Sequence, residues 1–308
     1  MTTSNAMLGL VAQTSIHAGA GSSVGVIDLP IQREGHSGRP CIFGSAVKGA
    51  LRTRADQATD TESWLASVFG PDTTKAGDHA GALSLGDARL LLLPVRSLTS
   101  TFRWVTCPDV LRRLQRDAEM LGLGWTFNIP TPTDEQAMVN EESGDLFLEE
   151  LRFTAAATGL TDLISQLLPI LGQERKAELE KRLTIISDDH FDVLCRHATP
   201  VNAHIAINNK TKTAIGGALW YEETLPPESV LYVPVMAQPA RNKDKDKKMT
   251  AQEVLGKLKG LFASHPWLQL GGNETVQTCL TAVHSNCSVT DVAHPEKTDF
   301  GSNFRNRM

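Results

Sequence analysis

Two short stretches carry residue types from which chemistry could be built. Residues 26–34 read VIDLPIQRE, and Asp28 interrupts an otherwise apolar run there. A carboxylate buried without partners is costly. Asp28 is therefore either a turn residue facing water or a group held for chemistry. Residues 44–52 read GSAVKGALR. Gly44 and Ser45 open a helix whose free backbone N–H groups and positive dipole end favour an anion. Lys48 and Arg52 stand four residues apart, so they share a helical face. That face is either an ordinary solvated basic surface or a phosphate contact.

Weaker candidates lie around these two. His17 enters the glycine-rich loop HAGAGSS, where a plain loop histidine is the simpler reading. Arg96 and Arg103 flank the PVRSL segment. Lys210, Lys212, Ala214 and Ile215 belong to NNKTKTAIGG, the composition of a hairpin tip. Gly271 and Gly272 mark a tight turn. Glu34 is placed to pair with Arg33 or Arg39. Asp188, Asp189 and Asp192 cluster at a helix start, where acids are stabilising. Arg112, Arg113 and Arg116 read as a solvated helix face.

Composition bounds the answer without deciding it. The chain has 308 residues, 41% apolar and 21% charged, with a formal charge of −5. This is enough for a large core, and it lacks the overall basic charge typical of a nucleic-acid binder. Any RNA contact must therefore come from a local cluster. Five cysteines, with no CxxC pair, argue against a zinc site and against disulfides. No apolar run reaches membrane length and no signal peptide is visible. The expected location is the reducing cytoplasm, without membrane contact.

The elements that would position these residues alternate between strands and helices. LGLVAQTSI reads as the first strand, and residues from about 45 as a helix with Val47 and Leu51 inward. A strand ends at Pro94, and Pro108 opens the next helix. Residues 125–145 read as an irregular insertion, and 158–182 as helical. Ser187 starts a further helix, VNAHIAI a strand, and Thr250 with Glu253 a capping box. No Walker or GxGxxG motif follows a strand, which disfavours a nucleotide-phosphate enzyme. The expected class is α+β: one antiparallel sheet with helices on one face and protruding loops.

Four ordered blocks carry a family resemblance: residues 17–52 with IDLPIQRE and GSAVKGALR, then GDARLLLLPVRSL with WVTCPDVLRRL. The third runs from RLTIISDDHFDVL to NNKTKTAIGGALWYEETLPPESVLY, and the last is WLQLGGNETV. In these blocks the chain resembles the repeated backbone subunit of the Cmr complex, the type III-B CRISPR RNA-guided effector, within the RAMP superfamily. The resemblance implies a ferredoxin-like, RRM-type palm, a helical finger insertion and a β-hairpin thumb around 201–221. It implies a single domain over 1–276 and an atypical C-terminal tail over 277–308. Copies would form a helical filament on crRNA, together with a large polymerase-like subunit, a small subunit and capping RAMP subunits, and would cleave complementary target RNA.

Carried onto this chain, the resemblance makes Asp28 the cleaving residue. It also makes Asp28 a weak ligand for an RNA-assisted divalent cation, Mg or Mn, with no organic cofactor. It gives His17, Ser45, Lys48, Arg52, Arg96, Lys210, Lys212, Gly271 and Gly272 to RNA binding, and Ala214 and Ile215 to a wedge that displaces a base pair. The chain departs from the family pattern at His204, where arginine is common, and after Val276. Those departures keep open a non-catalytic crRNA-binding scaffold.

Overall fold

The computed structural model describes residues 3–72, 74, 77–241, 248–272 and 280–286. Its first third contributes β1 (Ser4–Ala12), β2 (Cys41–Ile42), α1 (Gly44–Asp56) and α2 (Leu65–Phe69). Next come β3 (Leu83–Leu85), β4 (Ala88–Ser97), β5 (Thr101–Thr106) and α3 (Pro108–Met120). The middle holds β6 (Gln136–Val139), β7 (Gly144–Leu148), β8 (Leu151–Ala157), α4 (Thr161–Leu171) and α5 (Lys176–Arg182). It continues through β9 (Leu183–Ile185) and α6 (Asp188–His197). The remainder is β10 (Val201–Ile207), β11 (Ala214–Glu223), β12 (Val230–Ala237), α7 (Ala251–Gly260), β13 (Trp267–Gln269) and β14 (Leu280–Asn286).

The chain is α+β. Ten strands run in the order β13-β14-β1-β12-β4-β5-β9-β6-β8-β7, with β2 added on β4 and β3 on β12. The pairs β5–β9 and β6–β8 are parallel, and the others antiparallel. Strands β10 and β11 stand apart as a separate two-stranded hairpin. Among the described residues, no helix is long and apolar enough to cross a membrane.

Helices cover both faces of the sheet, not one as expected. The reason is visible in β1, which is buried along its whole length. Its Met7 and Val11 pack with Leu111, Leu114, Ile164, Leu167 and Phe191 of α3, α4 and α6. Its Ala6, Leu8 and Leu10 pack with Val47, Leu51, Val68, Val254 and Leu258 of α1, α2 and α7. Successive side chains of a strand point to opposite faces, so a continuous apolar run signals burial on both sides. At Gly9 a Cβ would overlap the Ile170 carbonyl, so α4 reaches the strand only because that side chain is absent.

Two further expectations are corrected. Strand β4 continues through Pro94, opposite Trp104, to Ser97. Residues 280–286, assigned to the tail, form β14 between β13 and β1, so the domain extends beyond 276. The rest of 277–308 lies outside the described residues, as does most of the charged loop at 242–247. Cys41, Cys107 and Cys195 are buried and free.

One element of the site rests on an ionic lock. Arg39, 4% exposed, donates to Asp192 and Asp109, each at 2.6 Å. Glu34 accepts from Arg113 at 2.6 Å and from Ser37 at 2.6 Å. Burial alone would raise the Glu34 carboxyl, but these two hydrogen bonds together with the charges of Arg113 and His36 outweigh it and hold the group below its ordinary value. A carboxyl held down contributes stability above its unfolded pKa and loses it as pH falls through the lower folded value. The lock therefore weakens in acid, not in base. The pairs bolt residues 33–40 onto the starts of α3 and α6. Removing the buried Arg39 breaks both pairs, although Arg112 still stands 3.9 Å from Asp109, so Arg39→Ala should lower unfolding free energy by about 1–3 kcal/mol in a urea titration. A loss too small to measure would show that the lock does not hold this segment.

Candidate functional site

Residues 18–32 leave the end of β1 as a loop that folds back on itself. Gly19 bridges Ile31, Ala20 N–H donates to Pro30 O at 2.9 Å, and Ser23 N–H to Asp28 O at 2.9 Å. The loop is stitched to the base of the hairpin. Leu29 N–H donates to Tyr221 O at 3.1 Å, and Glu223 N–H to Leu29 O at 3.0 Å. Asp28 is half-buried here, and its Oδ2 accepts the Tyr221 N–H at 2.8 Å. Its Oδ1 makes no hydrogen bond among the described residues. Asp28 is thus neither a free turn residue nor a sequestered charge: one oxygen orients it and the other is available.

Glu223 secures that geometry. Its carboxylate is 3% exposed and accepts from Arg33 at 2.5 Å, Thr199 Oγ1 at 2.7 Å and Ile31 N–H at 3.1 Å. Arg33 also donates to the Gly38 and Cys195 carbonyls at 2.8 and 2.9 Å. On the opposite face of β11, Glu222 lies 3.8 Å from His17 Nδ1 and 3.9 Å from His204 Nε2. His17 is buried and donates from Nδ1 to Glu223 O at 2.8 Å. His204 stacks on Trp220 with ring centroids 5.4 Å apart. Glu222, Glu223, Arg33 and Tyr221 escape a reading by motif. The one sequence signal is an adjacent pair of acids ending an apolar strand.

Beside this junction lies an open groove of about 720 Å³. Ala46, Gly49, Ala50, Thr53 and Arg54 of α1 form one wall, and His17, Leu29, Gly271 and Gly272 part of the other. Gly272 N–H donates to His17 O at 3.1 Å. Gly271 has φ +99°, and a Cβ there would run into that carbonyl. The glycine turn and His17 therefore come together, as the sequence reading places them, but the histidine ring is a buried strut.

Lys48 and Arg52 do share a face, yet it is not the groove face. At 100° per residue they lie opposite Gly49, Ala50 and Thr53 on α1. Lys48 Nζ donates to Leu83 O at 3.1 Å. Burial, then the charge of Arg52, holds its ammonium below the ordinary lysine range. Arg52 donates to Gly70 O at 2.7 Å and Asp72 at 2.9 Å. Ser45 is exposed at the start of α1, where Asp87 accepts the Gly44 N–H at 2.7 Å. The cation on the groove itself is Arg54.

The remaining candidates scatter. Arg96 makes a bidentate pair with Glu149, and that hydrogen bond raises its pKa. Arg103 is 1% exposed and pairs with Glu142, so it tracks no phosphate. Arg113 is a partner of Glu34, not a solvated residue. Lys210 and Lys212 are exposed at the hairpin tip, followed by Ala214 and the half-exposed Ile215. Among the described residues no three His, Cys, Asp or Glu side chains gather as a cation site. Asp28 alone does not fit a protein-held divalent ion.

A large covered sheet, an open groove and a detached arm define an α+β protein whose site is a surface track, not a closed pocket. The chain belongs to the RAMP superfamily, matched over residues 10–277. It is 38% identical over 279 residues to the CRISPR system Cmr endoribonuclease Cmr4 of Pyrococcus furiosus, covering 88% of this chain and 92% of that protein. It is 25% identical to the CRISPR system CMR subunit Cmr4 of Saccharolobus solfataricus, covering 86% and 91%. The crystal structure of oligomeric Cmr4 from Pyrococcus furiosus matches with TM-score 0.72 and 29% identity, covering 94% of this chain and all (100%) of that one.

The contact between Gly271 and His17 gives a direct check on the groove. Gly271→Ala should open the turn and speed amide exchange at Gly272 at least tenfold. Unchanged exchange would show that the turn does not depend on that close approach.

Proposed function

We propose that this chain is an RNA-guided endoribonuclease subunit. In this reading it lines crRNA as a helical filament of copies, alongside a large polymerase-like subunit, a small subunit and capping RAMP subunits, and cleaves the paired target RNA. The main sheet serves as the ferredoxin-like palm, bearing helical finger insertions, and the β10–β11 hairpin as the thumb. The carrying observation is Asp28: a carboxylate oriented by the Tyr221 N–H, with a free oxygen, where groove and hairpin meet. The naming of the Pyrococcus relative as an endoribonuclease supports it.

The groove takes the guide. His17 with Gly271 and Gly272 forms one side and α1 the other, leaving room for a ribose–phosphate strand. Arg54 is the cation within reach, and Lys48, Arg52 and Ser45 serve phosphates from the far flank and start of the helix. Arg96, Lys210 and Lys212 extend the contact, with Ala214 and Ile215 as wedge residues on the hairpin arm. The target lies across the hairpin base. A displaced target nucleotide brings its 2′-OH in line with the adjacent phosphate. As O2′ bonds to phosphorus to give a 2′,3′-cyclic phosphate, Asp28 Oδ1 accepts the hydroxyl proton, and the departing O5′ takes a proton from water and leaves as a 5′-hydroxyl. General-base help of this kind is worth about 10²–10⁴-fold, and holding the in-line geometry supplies much of the rest. Any divalent cation would be held chiefly by RNA, so no step is assigned to one.

Two variants separate binding from cutting. Asp28→Asn keeps an acceptor for the Tyr221 N–H but removes the base, so cleavage should fall at least about 100-fold while guide protection is unchanged. Cleavage at the same sites and rate would remove Asp28 from the reaction and leave a binding scaffold. No atom lies within 4 Å of a Cβ built on Gly49. Gly49→Leu should therefore fill the groove without unfolding α1 and weaken guide binding at least tenfold by filter binding. Wild-type affinity would place the guide elsewhere.

A further inference from the structure

The tip of the loop that carries Asp28 holds Val24 and Val26, 108% and 92% exposed, the most exposed large apolar side chains among the described residues. Residues 18–32 contain no Lys or Arg, and Asp28 is their one charge. Such a tip is unsuited to a phosphate backbone and suited to an apolar face. The Asp28–Tyr221 and Leu29–Tyr221 hydrogen bonds fix the loop against the hairpin edge, where Leu219 and Tyr221 are 55% and 42% exposed. The candidate wedge Ile215 lies six residues before Tyr221 on β11, about 20 Å away along an extended strand. At that separation it acts on a different base pair from the one beside Asp28 of its own chain.

We infer that Val24 and Val26, on the loop that carries Asp28, together with Leu219 and Tyr221 on the hairpin edge to which that loop is pinned, form the apolar seat of the unpaired target nucleotide at the cleavage position. Apolar side chains inserted at a base step unstack it at modest cost, and an aromatic ring offers a stacking surface to any base. The seat would act without regard to sequence, as a protein that takes its specificity from a guide requires. It rests on the proposed endoribonuclease function and adds the residues that hold the substrate for Asp28.

The test uses the full chain assembled with guide RNA and its partner subunits. The target is a complementary RNA carrying 2-aminopurine at the cleavage position. Both valines lie in solvent, so Val24→Ser combined with Val26→Ser leaves the core intact. Expected are a single-turnover cleavage rate at least tenfold lower and a changed 2-aminopurine signal, with target affinity within threefold and copy number unchanged. Wild-type rate and fluorescence would overturn the inference. So would loss of assembly, which would make the tip a contact between copies. Asp28→Asn tests the underlying reading separately. If it still cleaves, the proposed chemistry fails, while the fluorescence change continues to report whether the valines seat a base.

Discussion

The Glu223 carboxylate, buried at the end of β11, is the constraint on which the site depends. It accepts from Arg33, Thr199 and the Ile31 backbone at once. These three partners come from the loop leaving β1 and from the link between α6 and β10. A buried carboxylate is tolerable only when its lone pairs are filled. Filling them here forces the Asp28 loop, the α6 terminus and the hairpin base into one fixed arrangement. Asp28 takes its own position from Tyr221, two residues away on the same strand. The hairpin, detached from the main sheet, is thus anchored at its base beside Asp28.

A rigid base with a projecting arm suits a surface that must follow a long polymer. The chain carries net negative charge, and many of its arginines are committed to internal partners: Arg33 to Glu223, Arg39 to Asp109 and Asp192, Arg113 to Glu34. Cations spent on positioning are not available to bind phosphates non-specifically. In the proposed reading, recognition then falls to shape, in the groove lined by Ala46, Gly49, Ala50 and the Gly271-Gly272 turn. In the proposed reading, one carboxylate oriented by the Tyr221 N–H, that of Asp28, takes the proton.

Sequence reading was strongest where local rules act alone. The capping box at Thr250 and Glu253 is present as expected, the helix after Pro108 begins on time, and a hairpin forms at NNKTKTAIGG, although its return strand starts at Ala214, inside the stretch read as the tip. It was weaker where a long-range partner decides. Lys48 and Arg52 fall on one face as their spacing demands, but spacing does not say that this face turns toward the carbonyls of Leu83 and Gly70. Glu222 and Glu223 look like the solvated end of a strand, yet both are buried by segments far away in the chain. Strand β14 follows a stretch without a clear pattern, and its place in the sheet comes from pairing with β1. The resemblance singled out Asp28 as the candidate. The sequence by itself left that residue undecided, because the Tyr221 contact spans 193 positions.

The central claim is that Asp28 stands beside a displaced target nucleotide. An electron cryo-microscopy map of the chain assembled on guide RNA, with a target made uncleavable by 2′-deoxy substitution, measures it directly. The account predicts a carboxylate oxygen of Asp28 within about 3 Å, or one water, of the position the 2′ oxygen would occupy. An unbroken, stacked duplex passing the hairpin base, or an Asp28 more than about 10 Å from any displaced sugar, too far for one bridging water, would contradict it.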